Sequence, residues 1–325
     1  MKLTVSNDSF RLAQVFTISR GSRTEARVIT VRLDDNGYAG YGECVPYARY
    51  GESIESVNAQ IESVRGAVLE GMTRQELQQA LPAGTARNAL DCALWDLQAK
   101  TANTTVWQLA GLQKPAAVTS CYTLSLAAPE DMRTAAHRHN DMPVLKIKLG
   151  GEGDLERLQA VREGAPESRL VVDANEGWSV EDYLELAPVM VELGVALVEQ
   201  PLPAGDDDAL SGVERTLPIC ADESCHDANS LEQLYGKYDF INIKLDKTGG
   251  LTEALRLKSV AQAAGFKIMV GCMVSTSLAM APAVLVAQGA DIVDLDGPLL
   301  LAEDRIPPIE FNGAVMSPAS NILWG

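Results

Sequence analysis

From about residue 119 to residue 298, short apolar runs alternate with longer amphipathic stretches. The runs are VTSCYTL, VLKIKL, RLVVDAN, ALVEQP, PICADES, FINIKL, KIMVGCM and DIVDLDGP, eight in all. Between them lie segments with apolar residues at helical spacing, namely DLERLQAVREGA, SVEDYLELAPVMVELG, DANSLEQLYGKY, LTEALRLKSVAQAAG and STSLAMAPAVLVAQG. Runs that are apolar throughout, rather than at every second residue, read as parallel strands covered on both faces. Charged residues close five of them: Lys148, Asp173, Glu199, Asp222 and Lys244 follow one another at 25, 26, 23 and 22 residues. A period of about 25 residues accommodates one strand, one helix and two loops. The simplest arrangement is an α/β fold, a modified TIM (β/α)8-type barrel over residues 116–303, with a doubly wound open sheet as the runner-up.

Residues 1–115 are patterned differently. The alternating segments ARVITVRLDD and YAGYGEC flank Asn36-Gly37, a strong hairpin signal, and three helical stretches follow. Strands followed by helices predict a separate α+β capping domain. The tail, residues 304–325, carries Pro307 and Pro308, breaks the barrel repeat and is expected to return to that domain.

Composition narrows the function. A formal net charge of −17 repels phosphate backbones and argues against nucleic acid as a partner. No apolar run approaches the ~20 residues that span a bilayer, and MKLTVSNDSFRLAQ lacks a secretory profile, so a cytoplasmic protein is expected. The six cysteines include no CxxC pair and mostly sit in apolar segments, which fits buried thiols. The three histidines offer no zinc site, since His137 and His139 diverge on a predicted helix.

The chemistry therefore rests on lysines and carboxylates. Lys146 and Lys148 are two apart in a strand, so their amines face one space. Asp173, Glu199 and Asp222 would meet at adjacent strand ends, where a barrel builds its active site. Three oxygen donors without histidine or thiolate favour Mg²⁺. One such acid could simply cap a helix, and Asp222 precedes a helix start; three in register with three lysines are better explained by a cation. Lys148 and Lys244, on strands two and six of eight, would stand on opposite sides of the mouth, the geometry of racemisation or epimerisation. As bases they need depressed pKa values, which a neighbouring ammonium and a divalent cation would supply. Asp294 and Asp296 form a second acidic i,i+2 pair and call for a cation of their own.

With RGSRTEAR, YGECVPYARYGES, ARNALDCALWDLQAK and NIKLDKTGG, these residues make nearly the whole chain resemble the muconate-lactonizing subgroup of the enolase superfamily, within it the dipeptide epimerases acting on L-Ala-D/L-Glu. Enolase-superfamily sites use a lysine or histidine base with Mg²⁺ stabilising an enediolate. The resemblance implies Lys148 and Lys244 as the two bases, Lys146 as their cationic neighbour, and Asp173, Glu199 and Asp222 as Mg²⁺ ligands. It places Asp294 and Asp296 on the dipeptide's α-ammonium and Arg23 on its glutamate side chain; Ser275 and Ser277, after the seventh strand, are candidates for the pocket wall. The implied reaction is two-base epimerisation of L-Ala-D/L-Glu in murein peptide metabolism. A homo-oligomer is compatible with the sequence, and Arg49 and Tyr50 receive no role.

An o-succinylbenzoate synthase or cycloisomerase would share the lysines and acids but would not need the Asp294/Asp296 pair. A sugar-acid dehydratase wants a histidine base near the sixth or seventh strand end, where none stands. A non-catalytic ligand-binding homologue should have lost a lysine or an acid. Gly151-Glu152-Gly153 fails as a dinucleotide-binding motif, because the next required position is Glu156.

Overall fold

The computed structural model describes residues 1–325. Its first unit is an antiparallel sheet of β1 (Lys2–Ile18), β2 (Gly21–Asp35) and β3 (Tyr38–Cys44), in that order. Asn36 and Gly37, at φ 49° and 86°, make the two-residue turn between β2 and β3. Three helices follow: α1 (Ile54–Leu69), α2 (Arg74–Ala80) and α3 (Thr85–Thr101). Ser53 and Thr73 start α1 and α2 through reciprocal capping boxes with Ser56 and Glu76. Ile29, Val31 and Leu33 of β2 pack with Val57, Ile61 and Leu90 to form this unit's core. Each such buried side chain contributes roughly 1.5–3 kcal/mol relative to exposure.

Helix α3 lies between that sheet and the rest of the molecule, buried almost along its full length. Its close seat on β3 needs two glycines. A Cβ on Gly42 would lie 2.1 Å from the Ala89 carbonyl oxygen, and one on Gly40 would lie 2.3 Å from that of Ala93.

After the short helix α4 (Val106–Leu109) and strand β4 (Val118–Thr119) comes the larger unit. Its eight strands are β5 (Tyr122–Leu124), β6 (Val144–Lys148), β7 (Arg169–Asp173), β8 (Val195–Glu199), β9 (Ile219–Ala221), β10 (Phe240–Ile243), β11 (Lys267–Gly271) and β12 (Ile292–Asp294). All neighbouring pairs are parallel and run in sequence order. The first and last strands meet, where the Cys121 amide donates to the Val293 carbonyl at 2.7 Å. Inside the ring, Cys121, Val171, Leu197, Cys220, Phe240, Met269 and Ile292 fill a packed floor.

The outer helices are α5 (Pro129–Arg138), α6 (Asp154–Gly164), α7 (Val180–Glu192), the single turn α8 (Leu245–Thr248), α9 (Leu251–Ala263) and α10 (Ser277–Ala287). The segment DANSLEQLYGKY, expected to be α-helical, instead forms a short 3₁₀ turn over Ala228–Leu234. Two short strands, β13 (Phe311–Asn312) and β14 (Val315–Met316), form an antiparallel pair, and β14 also pairs with β4. The tail also reaches the first unit, where Arg305 pairs with Glu43 at 2.6 Å, and just before it Ala302 N donates to Arg11 O. No helix is long and apolar enough to cross a membrane.

Candidate active site

The parallel ladder levels the functional residues. Lys148 pairs in register with Asp173, and Asp173 with Glu199. Glu199 pairs with Cys220, so Asp222 stands just past the end of β9, and Lys244 just past the end of β10. Lys146 and Lys148 both project inward, as strand periodicity requires, Lys146 one step deeper. A cavity opens above them, between the barrel mouth and the tip of the β1–β2 hairpin.

Ion pairs knit its floor. Lys146 Nζ lies 2.7 Å from Asp294 Oδ2, 2.7 Å from Glu199 Oε2 and 3.2 Å from Asp173 Oδ2. Lys148 Nζ contacts Asp173 Oδ2 at 2.5 Å, and Lys244 Nζ contacts Asp222 Oδ2 at 2.6 Å. A further lysine, Lys247, is fully buried and donates to Asp222 Oδ1 at 2.7 Å and to Asn242 O at 2.9 Å. Asn242 Nδ2 in turn donates to Glu199 Oε1 at 2.7 Å.

Burial alone would raise every carboxyl here; which way each one goes depends on the amines it meets. Burial pushes Asp173 up, but Lys148 and Lys146 outweigh it and hold it at about 2. Asp222, buried but beside Lys244 and Lys247, is held well below the usual carboxylate range. Glu199 is pushed up to about 7 by burial and then by Asp173. Asp296 likewise rises to about 7, through burial and then Asp294. Lys244 does not show the depressed value its role as a base led us to expect. Burial lowers Lys146 and Lys244, but the surrounding carboxylates outweigh it and hold both above the ordinary ammonium value. The reason is charge number: Asp173, Glu199, Asp222, Glu223, Asp294 and Asp296 outnumber Lys146, Lys148, Lys244 and Lys247 among the buried side chains.

That excess of negative charge is one sign that the residues fit a cation. Another is the state of the oxygens. Glu199 Oε2, Glu223 Oε2, Asn175 Oδ1 and Asn242 Oδ1 are buried without a hydrogen-bond partner. Lys146 Nζ is close to Glu199 Oε2, but off the line a hydrogen bond requires. Unpartnered buried oxygens of this kind suit a hard divalent ion.

Not every expected residue faces the cavity. Lys146, Lys148, Asp222, Lys244, Asp294 and Asp296 line it, with Asp173 and Glu199 buried beneath. Of the acidic pair, Asp294 is shared with Lys146, whereas Asp296 Oδ2 accepts the Thr123 amide at 2.6 Å. Arg23 is on strand β2, opposite Phe16; its guanidinium sits 5.0 Å over the Tyr47 ring and lines the cavity. Ser275 and Ser277 do not line it. Ser275 Oγ donates to its neighbour's carbonyl, Met273 O, and Ser277 Oγ is bonded to Asp304 and accepts the Ile309 amide, fastening the tail. Cys272, Met273 and Val274 form that wall instead.

Sequence reasoning also missed several residues. Lys247 is three positions after Lys244, on the single turn α8, and only that spacing hinted at a shared face. Gln200, at φ 35°, accepts the Asp222 and Ser224 amides on its side-chain oxygen and so fixes the loop that carries Asp222. Arg20, Tyr47 and Tyr50 line the cavity from the first unit.

Fold and site define an enolase-like capped barrel with an acid-and-lysine mouth. Residues 1–111 match the mandelate racemase / muconate lactonizing enzyme N-terminal domain, and residues 130–300 match the enolase C-terminal domain-like family. The chain belongs to the mandelate racemase / muconate lactonizing enzyme family of the enolase superfamily. It is 47% identical to the L-Ala-D/L-Glu epimerase of Escherichia coli (strain K12), over 94% of this chain and 96% of that one. It is 46% identical to an N-acetyl-D-glutamate racemase of a Pseudoalteromonas species, over 92% and 95% of the two chains. An enolase family member from Agrobacterium tumefaciens with homology to dipeptide epimerases, solved with bound sodium, L-Ala-L-Glu and an ordered loop, superposes with a TM-score of 0.98 at 52% identity, covering 99% of each chain. A dipeptide epimerase from Enterococcus faecalis V583, complexed with Mg and L-Leu-L-Tyr, superposes with a TM-score of 0.90 at 28% identity, over 98% and 96% of the chains.

Proposed function

We propose that this protein is an isomerase that inverts the glutamyl α-carbon of L-Ala-D/L-Glu, a reaction of murein peptide turnover in the cytoplasm. The observation that carries this reading is the pair of buried lysines, Lys148 and Lys244, rising from strands four apart in an eight-stranded ring and lining one cavity. One removes the α-proton from one face and the other returns a proton to the opposite face. Lys146, beneath them, offsets the negative charge that develops on the substrate carboxylate. The rest of the cavity complements such a dipeptide. Arg23 meets the distal carboxylate, and the Asp294/Asp296 pair meets the α-ammonium.

Asp173, Glu199 and Asp222 would hold Mg²⁺, a choice supported by their oxygen-only donor set and by the Mg-complexed relative. Bound there, the ion would supply Lewis-acid polarisation of the substrate carboxylate.

The Pseudoalteromonas relative favours a second reading, racemisation of N-acetylglutamate, which shares the glutamyl end and lacks the ammonium. The buried acidic pair argues for the dipeptide, because an N-acetyl group offers it no cation. The experiment is incubation in D₂O with L-Ala-L-Glu and Mg²⁺, followed by proton NMR, with N-acetyl-D-glutamate run in parallel. Loss of the glutamyl α-proton with growth of the second diastereomer is the expected result. Exchange of N-acetylglutamate alone would replace this reading with the second, and no exchange of either would end both.

A further inference from the structure

Three arginines from the first unit gather at the cavity edge, and two of them are tied to one carboxylate. Glu176 accepts Arg49 in a bidentate pair, Nε to Oε2 and Nη2 to Oε1, both at 2.6 Å. Its Oε2 also accepts Arg20 Nη1 at 3.1 Å, and its Oε1 accepts the Ala204 amide at 2.7 Å. Glu176 holds this position at φ 66°, in the left-handed region that a glutamate rarely adopts and that persists where surroundings over-determine it.

Arg20 extends the chain of contacts. It donates to Asn175 O at 2.6 Å, to Glu223 Oε1 at 2.6 Å and to the Tyr47 hydroxyl at 2.9 Å. Ser19 Oγ also donates to Asn175 O, at 3.0 Å. Ser19 and Arg20 are the two-residue turn of the β1–β2 hairpin, so the whole tip is fastened to residues 175 and 176. Arg23 follows on the same arm, over the Tyr47 ring that Arg20 steadies. Alone among the three arginines, Arg23 pairs with no carboxylate of the protein.

We propose that Glu176 is a positioning residue for substrate selection: by clamping Arg20 and Arg49 it sets the hairpin tip, and through it the reach of Arg23 for an acidic C-terminal side chain. The inference rests on the epimerase reading above and adds to it a residue that does not touch the substrate. Its loss should act on discrimination more than on proton transfer. A residue needed only for barrel integrity would weaken all substrates alike.

The test compares L-Ala-L-Glu with the near-isosteric L-Ala-L-Gln in the Mg²⁺-loaded wild type, Glu176→Gln and Arg49→Met. The ratio of kcat/KM for the two dipeptides should fall by about tenfold or more in Glu176→Gln, chiefly through KM for L-Ala-L-Glu. Arg49→Met should move the ratio the same way, and it decides the matter alone if Glu176→Gln does not fold. Amide hydrogen exchange over residues 18–24 should quicken in both variants while the barrel strands stay protected. Ratios within twofold of wild type, or equal losses on both dipeptides confined to kcat, would overturn the clamp. A wild type inactive on both would instead refute the epimerase reading, and unchanged exchange over 18–24 would then dispose of the clamp separately.

Discussion

Asp222 meets two lysine amines, one on each carboxylate oxygen, and only one of them reaches the cavity. Lys244 lines it, while Lys247 is fully buried and holds the carboxylate from behind. Two amines of the same type on one acid thus separate into a group that can exchange protons with a bound molecule and one that fixes the acid. Lys146 and Lys148 both line the cavity, but Lys146 is shared among three acids whereas Lys148 pairs with Asp173 alone. Lys148→Ala and Lys244→Ala should each lower interconversion of the two epimers by at least about 10²–10⁴-fold. Each variant should still exchange the α-proton of one epimer with solvent, and the retained epimer should differ between them; D₂O exchange followed separately for each epimer checks this. Loss of exchange for both epimers in either variant would point to a single base.

At the scale of elements, helix α3 joins the two units through polar contacts as well as through Cys92, Trp95 and Ala99, which pack into the barrel's apolar core. Arg87 donates to Thr248 O at 2.6 Å, and Asn88 donates to Asp246 at 2.7 Å, both on the turn that follows Lys244. Asp91 accepts the Thr252 amide at 2.9 Å and its hydroxyl at 2.6 Å, at the start of α9. Burial raises Asp91 from 3.8 to about 6, against the hydrogen bonds from Thr252. Because the folded value lies above the unfolded one, folding favours the protonated form. The stability Asp91 contributes is fully present below pH 3.8 and is lost as pH rises through about 6. That shift corresponds to about 3 kcal/mol. Asp91→Asn should therefore show a flatter fall in unfolding free energy across that window, measured by denaturant titration at several pH values; an unchanged slope would refute the assignment.

The same scale shows what the chain revealed and what it hid. Strands buried on both faces announce themselves as continuous apolar runs, so all eight barrel strands and their charged ends were legible. Strand β1 was not. It is an edge strand that buries only Leu3 and Leu12 along its 17 residues, and its other positions carry no readable alternation. Ser277 misled for a related reason: a serine opening a helix after a barrel strand suits a pocket wall as well as it suits a tail anchor, and only the position of Asp304 decides. Lys247 and Glu176 were opaque because their partners lie 25 and more residues away in the chain.

For the whole molecule, the barrel mouth concentrates negative charge that its lysines do not balance. A divalent ion taken up by the native state and not by the unfolded chain stabilises it by mass action, about 2.7 kcal/mol at a hundredfold excess over Kd. Mg²⁺ should accordingly raise the Tm, and the rise should vanish in Asp173→Asn or Glu199→Gln. A calorimetric scan with and without chelator checks both, and an identical Tm in wild type would remove the cation from the site.

The seating of α3 also has a consequence for engineering. A chimera joined between the two matched regions, with its donor cap chosen only for a different preference at the hairpin tip, would discard the guanidinium and amide that hold the Lys244 turn. Such a hybrid should bind new ligands yet process them poorly. Grafting residues 1–50 alone, with the resident α3 left in place, would keep proton transfer and specificity independently adjustable.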